Sequence, residues 1–463
     1  MRSPLRKAPP APLLPPGPDR DRAFWIWQLR VMFGMMFGYA LFYLIRKNIS
    51  MALPGMSEEL GYTNTELGVL LTGTSLVYGL GKFLNGVIAD RANPRWFMVI
   101  GLLASALINV AFGLSGAFWA LLGLWLLNGW AQSMGWPPCA TLLTTWYEPK
   151  RLATWWGLWN ASHQVGGAVI FVLGGYLVSQ WGWRAVFFAP AAIAAVGAVV
   201  VALTLRDRPE SLGFPSPHEA PEPAPEPAPE PAPELQAQET AQGAAQHTGW
   251  RHTLQEINEH VISSPMIWLV SFGNLFVYVV RIGMLDWAPK FLKEARGVNL
   301  EEAGWMVAAL EVAGILGGLA AGYLADRAFR GRYSVVNGLY MAGLALSLCL
   351  LYLSPTLGPA LNTPLASALI LSLVGFLVYG PQMLTAVSAA SYAPRAHAGA
   401  ATGFNGLFGY LGASISGVGT GWCVDTFGWD GGVAFYLVAA LLGVGAFWAA
   451  HWVDGRRQGG VRG

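Results

Sequence analysis

The chain has 463 residues, 54% of them hydrophobic and only 12% charged, with a formal net charge of +2. Soluble domains carry about 25% charged residues, and a nucleic-acid binder shows a basic patch or stripe, so a soluble globular enzyme and a nucleic-acid partner are both excluded. The three cysteines, Cys139, Cys349 and Cys423, stand far apart in apolar stretches; this is neither a disulfide framework nor a metal-ligand spacing, and no metal or cofactor is expected.

Apolar runs long enough to cross a bilayer, about 20 residues each, follow one another along the chain. The predicted helices cover 24–54, 64–88, 96–114, 117–144, 153–179, 183–205, 264–289, 302–325, 334–354, 361–391, 397–424 and 430–452. The expected fold class is an all-α membrane protein of twelve transmembrane helices in two six-helix halves. A Pro-rich tail, 1–23, precedes the first helix and lacks the features of a removable signal, so that helix reads as an uncleaved anchor. Residues 206–260 hold charges and a Pro-Glu-Pro-Ala tract from Pro221 to Glu234. Such a tract favours extended polyproline II and buries no core. It reads as a solvated linker between an N-terminal bundle, 24–205, and a C-terminal bundle, 261–453, with a short tail, 454–463, at the end.

Basic residues mark alternate loops: Arg91 and Arg95, Lys150 and Arg151, Arg206 and Arg208, Arg327, Arg330 and Arg332, then Arg395. Arg2, Arg6, Lys7, Arg20 and Arg22 crowd the first tail, and Arg456, Arg457 and Arg462 the last. The opposite loops are poorer, apart from Arg184 and the group Lys290, Lys293 and Arg296, which Glu294, Glu301 and Glu302 partly balance. The positive-inside rule therefore puts both termini and the linker in the cytoplasm.

The halves repeat each other. Gly86-Val-Ile-Ala-Asp90-Arg91 returns as Gly322-Tyr-Leu-Ala-Asp326-Arg327, Tyr43 and Arg46 as Tyr278 and Arg281, Pro149-Lys150 as Pro394-Arg395, and Gly182-Trp183 as Gly428-Trp429. Parallel six-helix repeats of this kind carry their binding site between the halves near the bilayer midplane.

Several charges fall inside the apolar segments. Arg46 and Arg281 end matched runs, each with a tyrosine three residues earlier. A guanidinium at membrane depth is costly and by default functional, and its planar fork suits phosphate. Two of them define a doubly cationic pocket for a divalent oxyanion. Lys47 and Lys82 lie in the first half, Asp286 and Glu311 in the second. Charges this deep need partners; these read either as fixed structural pairs or as inter-half pairs that rearrange. His163 lies one turn after Asn160, and its helix matches the one carrying the glycine-rich stretch Gly406–Gly412, whose face is expected to line the cavity. His163 reads either as hydrogen-bonded structure or as a group titrating beside the anion. Tyr39, Tyr43, Tyr78, Tyr278, Tyr379 and Tyr410 add phenols, several of them one turn from a cation.

At these residues the chain resembles the organophosphate:phosphate antiporters of the major facilitator superfamily. That group holds bacterial glycerol-3-phosphate and hexose-6-phosphate transporters, a membrane sensor for glucose-6-phosphate and a glucose-6-phosphate translocase. The strings are Phe42-Tyr-Leu-Ile-Arg46-Lys-Asn48, Gly135-Trp-Pro-Pro-Cys139, Trp155-Trp156 with Trp159-Asn160 and His163, Arg281 with Leu285-Asp286-Trp287, Tyr379-Gly-Pro-Gln-Met383 and Gly406-Leu-Phe-Gly-Tyr410.

The resemblance implies that Arg46 and Arg281 grip the phosphoryl group, while His163, Lys82, Asn160 and the tyrosines line the route. It also implies state-dependent salt bridges for Lys47, Asp286 and Glu311, and loop latches at Asp90 and Asp326. The implied activity is exchange of hexose 6-phosphate or glycerol 3-phosphate for inorganic phosphate, by a monomer in the bacterial inner membrane. A receptor for glucose-6-phosphate that signals to a partner kinase is the alternative. No nucleophile–base pair or nucleotide loop points to an enzyme.

Overall fold

The structure is a computed structural model and describes residues 5–218, 255–394 and 397–460. The Pro221–Glu234 tract, Arg2, Arg395 and Arg462 lie outside these residues. The first half comprises α1 (Pro18–Leu44), α2 (Asn48–Leu60), α3 (Asn64–Arg91), α4 (Pro94–Leu114), α5 (Phe118–Gln132), α6 (Trp136–Trp146), α7 (Leu152–Trp181) and α8 (Ala185–Thr204). The second comprises α9 (Pro265–Arg296), α10 (Leu300–Tyr323), α11 (Tyr333–Leu353), α12 (Pro364–Ser391) and α13 (Ala398–Gly460). Among the described residues, ten helical stretches are long and apolar enough to cross a membrane. The helices α5 and α6, each short, follow one another across a break, and α13 kinks at Gly428.

Local chemistry sets the ends. Proline opens α1, α4, α6, α9 and α12, where the first turn has no use for its missing N–H. Thr63 and Glu66 form a reciprocal capping box at the start of α3. Gly182 at φ 77° and Gly428 at φ 70° turn the chain at matching places of the two halves; a left-handed backbone favours glycine there. The tryptophan after each glycine then donates to a matched glutamate, Trp183 to Glu59 at 2.7 Å and Trp429 to Glu294 at 3.0 Å. The internal repeat thus holds down to single hydrogen bonds.

The helix expected over 24–54 is not continuous. It breaks at Ile45–Lys47 and resumes as α2, whereas the matching α9 runs unbroken through Arg281. Non-helical backbone at membrane depth is tolerated where protein surrounds it, and here buried asparagines do so: the Ile45 carbonyl accepts from Asn109 at 3.0 Å and Asn128 at 3.3 Å.

The tail and the first part of the expected solvated linker are also more ordered than their composition suggests. Ala8 N–H donates to Asp207 at 2.6 Å, Ala11 to the Glu210 carbonyl at 2.8 Å and Leu14 to the Gly213 carbonyl at 2.8 Å. Residues 207–214 are held against the tail and carry a buried Asp207 and Phe214. Proline leaves the tail extended, so its remaining N–H groups can reach this second segment.

The halves are tied together most closely towards one end. Hydrogen bonds and ion pairs there join residues 47–72 to residues 286–293 and 414–425. Asp425 of α13 caps the start of α3, accepting from the backbone and side chain of Asn64 (3.1 and 2.8 Å) and of Thr65 (2.7 and 2.6 Å). Glycines permit the close approach: a Cβ on Gly68 would lie 2.5 Å from the Gly417 carbonyl oxygen. The loops bearing Arg91, Arg95, Lys150, Arg151, Arg206 and Arg327 lie at the opposite end.

Candidate functional site

Where the halves separate, a cavity of about 890 Å³, counted with its opening to solvent, sits between α1, α3 and α7 on one side and α9, α12 and α13 on the other. Tyr39, Tyr43, Arg46, Lys47, Tyr78, Lys82, Asn160, His163, Tyr278, Arg281, Asp286 and Tyr410 all line it. Most of the residues singled out from sequence therefore line one cavity. Tyr379 and Glu311 stand directly behind Arg281 rather than on the lining. Asp90 and Asp326 are exposed near the far end of the halves, away from the cavity.

The two arginines reach the cavity differently. Arg46 projects from the break between α1 and α2, with its guanidinium 4.0 Å from the Tyr78 ring centre and 5.2 Å from that of Tyr43. Arg281 projects from the middle of α9, 4% exposed, 4.7 Å from the Tyr379 ring centre and 5.7 Å from that of Tyr278. Aromatic faces stabilise each cation without consuming its planar donor fork. Arg281 spends one donor on the Tyr379 hydroxyl at 3.3 Å, and that hydroxyl donates in turn to Glu311. The Arg281 Nε has no protein acceptor. Among the described residues, neither arginine forms an ion pair. Lys82 is a third cation, 4.0 Å from the Trp136 ring centre and 5.5 Å from that of Tyr410.

Of the expected charge partners, one pair forms. Lys47 meets Asp286 at 2.5 Å across the halves, both side chains buried, and Ser50 adds a hydrogen bond to the same carboxylate at 3.2 Å. Lys82 pairs with neither Asp286 nor Glu311, correcting that expectation; aromatic rings stabilise it instead. Glu311 turns to Tyr379 within its own half and faces Gly167 of the other, where a Cβ would meet its carboxylate at 2.6 Å.

The His163 ring lies 5.4 Å from Tyr43 and 6.2 Å from Tyr379, bridging the halves, and its Nε2 has no partner. Gly409 and Gly412 do not give α13 a cavity-lining glycine face: they pack it against α9, where a Cβ would meet Tyr278 or the Leu275 carbonyl. Tyr410, between them, does reach the cavity.

Gln382, Trp136, Thr74 and Ser75 also line the cavity and escaped the sequence reading. Gln382 sits three residues after Tyr379, which places the two on neighbouring parts of one helix face. That spacing was the available signal. Trp136 opens α6 just beyond the α5 break, a position that periodicity alone does not reveal.

This set suits anion binding. Three cations ringed by phenols and indoles can hold a multivalent oxyanion through charge-assisted hydrogen bonds.

A two-half helical bundle with such a cavity at its centre defines a membrane carrier. Residues 35–417 match the Major Facilitator Superfamily, and the chain belongs to the organophosphate transporter family within it. It is 34% identical to the glycerol-3-phosphate transporter of Bacillus subtilis (strain 168), over 94% of this chain and 95% of that one. It is 37% identical to the membrane sensor protein UhpC of Escherichia coli (strain K12), over 96% of each. A bacterial homolog of the human lysosomal transporter Spinster, solved inward-facing and unoccupied, superposes with a TM-score of 0.74 at 17% identity, covering 92% of this chain and 97% of its own. The chain is thus a multi-pass protein of the bacterial inner membrane, with a fold of transporters rather than enzymes.

Proposed function

We propose that this protein exchanges a small organic phosphate ester, hexose 6-phosphate or glycerol 3-phosphate, for inorganic phosphate by alternating access. The observation that carries the reading is the pair of guanidiniums, one from each half, that line a single cavity and form no ion pair among the described residues. Each keeps donors for a phosphoryl group, which two planar forks can grip from opposite sides. Lys82, His163, Asn160, Tyr39, Tyr43, Tyr78, Tyr278 and Tyr410 surround the ester, and Tyr379 and Glu311 hold Arg281 ready from behind.

In this reading twelve spans form two bundles, with both termini and the linker cytoplasmic and the protein acting as a monomer. The basic loops then mark the cytoplasmic face, so the cavity opens inward and the end held by Lys47–Asp286, Glu58–Lys293 and Asp425 is the sealed periplasmic gate. Asp90 and Asp326 would latch the cytoplasmic ends in the opposite state. Two buried arginines oppose closure around an empty site, because like charges in a low dielectric repel. A bound dianion removes that obstacle, which favours exchange over net flux.

Proteoliposomes loaded with inorganic phosphate should take up labelled phosphate esters, while unloaded ones should not. Equal uptake by both would sink the exchange reading. A second reading, a receptor for glucose-6-phosphate that signals to a partner kinase, is favoured by the 37% identity to a membrane sensor; binding without uptake under either loading would support it instead.

A further inference from the structure

Arg46 is flanked by a buried polar network whose members do not line the cavity and whose hydrogen bonds, among the described residues, stay within the first half. Asn48, Ser105, Asn109 and Asn128 are 0% exposed and Gln132 is 1% exposed. Asn109 spans the break in the first span: its amide donates to the Ile45 carbonyl at 3.0 Å, before Arg46, and its carbonyl accepts from the Asn48 amide at 2.7 Å, after it. Asn128 adds a second donor to the Ile45 carbonyl at 3.3 Å. Ser105 holds the Asn128 carbonyl at 2.5 Å, and Gln132 holds Ser105 at 2.8 Å. The Asn48 amide also donates to the Val186 carbonyl of α8 at 2.9 Å.

A buried amide cluster is costly unless satisfied, and lone asparagines on α4 and α5 would serve packing no better than leucine. Both donate to the Ile45 carbonyl on one side of the break, and the Asn109 carbonyl accepts from the Asn48 side chain on the other. Among the described residues, the same half has no second break of this kind bearing a cavity cation. The opposite arginine needs no such support, because α9 is continuous around Arg281.

We propose that Asn109 and Asn128 are positioning residues for Arg46: Asn109 ties the two sides of the α1–α2 break together and Asn128 reinforces the Ile45 side, so that the guanidinium enters the anion site at a fixed angle. This rests on the reading of Arg46 as a phosphate ligand. A bidentate grip tolerates little displacement, since each bond weakens steeply with angle. Losing the anchor should therefore lower anion affinity through Arg46 alone.

The test is a pair of double-mutant cycles, read by calorimetric titration of purified full-length protein with inorganic phosphate. Asn109→Leu should weaken phosphate binding about tenfold, the equivalent of one charge-assisted hydrogen bond. Combined with Arg46→Lys it should cost little more than Arg46→Lys alone, whereas with Arg281→Lys the two losses should multiply. Multiplication in both cycles, or unchanged affinity in Asn109→Leu, would overturn the proposal and leave the network a structural one. If Asn109→Leu does not survive purification, Asn128→Ala, which removes only the longer donor, is carried through the same two cycles, and the same outcomes support or overturn the proposal. Unchanged affinity in Arg46→Lys and Arg281→Lys themselves would instead overturn the phosphate-binding reading, so the two failures are distinct.

Discussion

The buried pair Lys47–Asp286 gives the sharpest prediction. At 2.5 Å, with side chains 6% and 9% exposed, it joins the halves on the sealed side of the cavity. Lys47→Ala leaves the Asp286 carboxylate with one neutral donor, Ser50 at 3.2 Å. Breaking one partner of a buried pair costs about 3–5 kcal/mol. That penalty falls on the arrangement in which the pair exists, so the balance between the two states should move by a factor of roughly 10² or more. Spin labels at Trp119→Cys and Trp305→Cys, one on each half at the sealed end and both exposed, report the separation by double electron–electron resonance. The unaltered pair should give one short distance, and Lys47→Ala a dominant longer one. The exchange Lys47→Asp with Asp286→Lys should return the short distance. Glu58–Lys293, exposed at the same end, is the control: its loss is worth about 0.2–1 kcal/mol and should barely move the distribution. A swap that leaves the long distance in place, or a Lys47→Ala profile like the control, would refute direct pairing as the lock.

Three further outcomes follow from the same geometry. Asp425→Asn keeps the shape but removes the charge that caps α3 across the halves; at about 1 kcal/mol for such a cap, the long-distance population should rise roughly fivefold, and an unchanged spectrum would mean that the cap forms equally in both states. Gly68→Val drives a side chain into the Gly417 backbone, so the protein should be held open at the sealed end and lose counterflow while still binding phosphate; normal counterflow would show that the close approach of α3 and α13 is dispensable. Arg46→Lys keeps the charge but loses the planar fork, and calorimetry should register a fall in phosphate affinity of about tenfold or more, with retained affinity removing Arg46 from the site.

What could be read from the sequence was what repeats locally. Membrane helices carry their own hydrogen bonds, so apolar length marked the spans. The doubling of Tyr43-x-x-Arg46 as Tyr278-x-x-Arg281 and of Gly182-Trp183 as Gly428-Trp429 gave the two halves, and charges stranded in lipid-length runs gave most of the cavity. The Lys47–Asp286 pair was within reach, because opposite charges buried in opposite halves have few other ways to be satisfied. The break at Arg46 was not, since Ile49–Leu53 continues the apolar pattern and the deciding donors, Asn109 and Asn128, come from two other helices.

Lys82, expected to line the route, was also offered an acidic partner, because charge is legible in a sequence and the face of Trp136 is not. The cap that Asp425 lends to α3 joins residues 360 positions apart, and no local pattern encodes a contact of that range. Sequence alone therefore determined which residues must leave the lipid. Only the tertiary structure decided which of them meet: pairing across the interface depends on how two rigid bundles lean together, and that angle is set by glycine contacts and backbone breaks summed over the whole molecule.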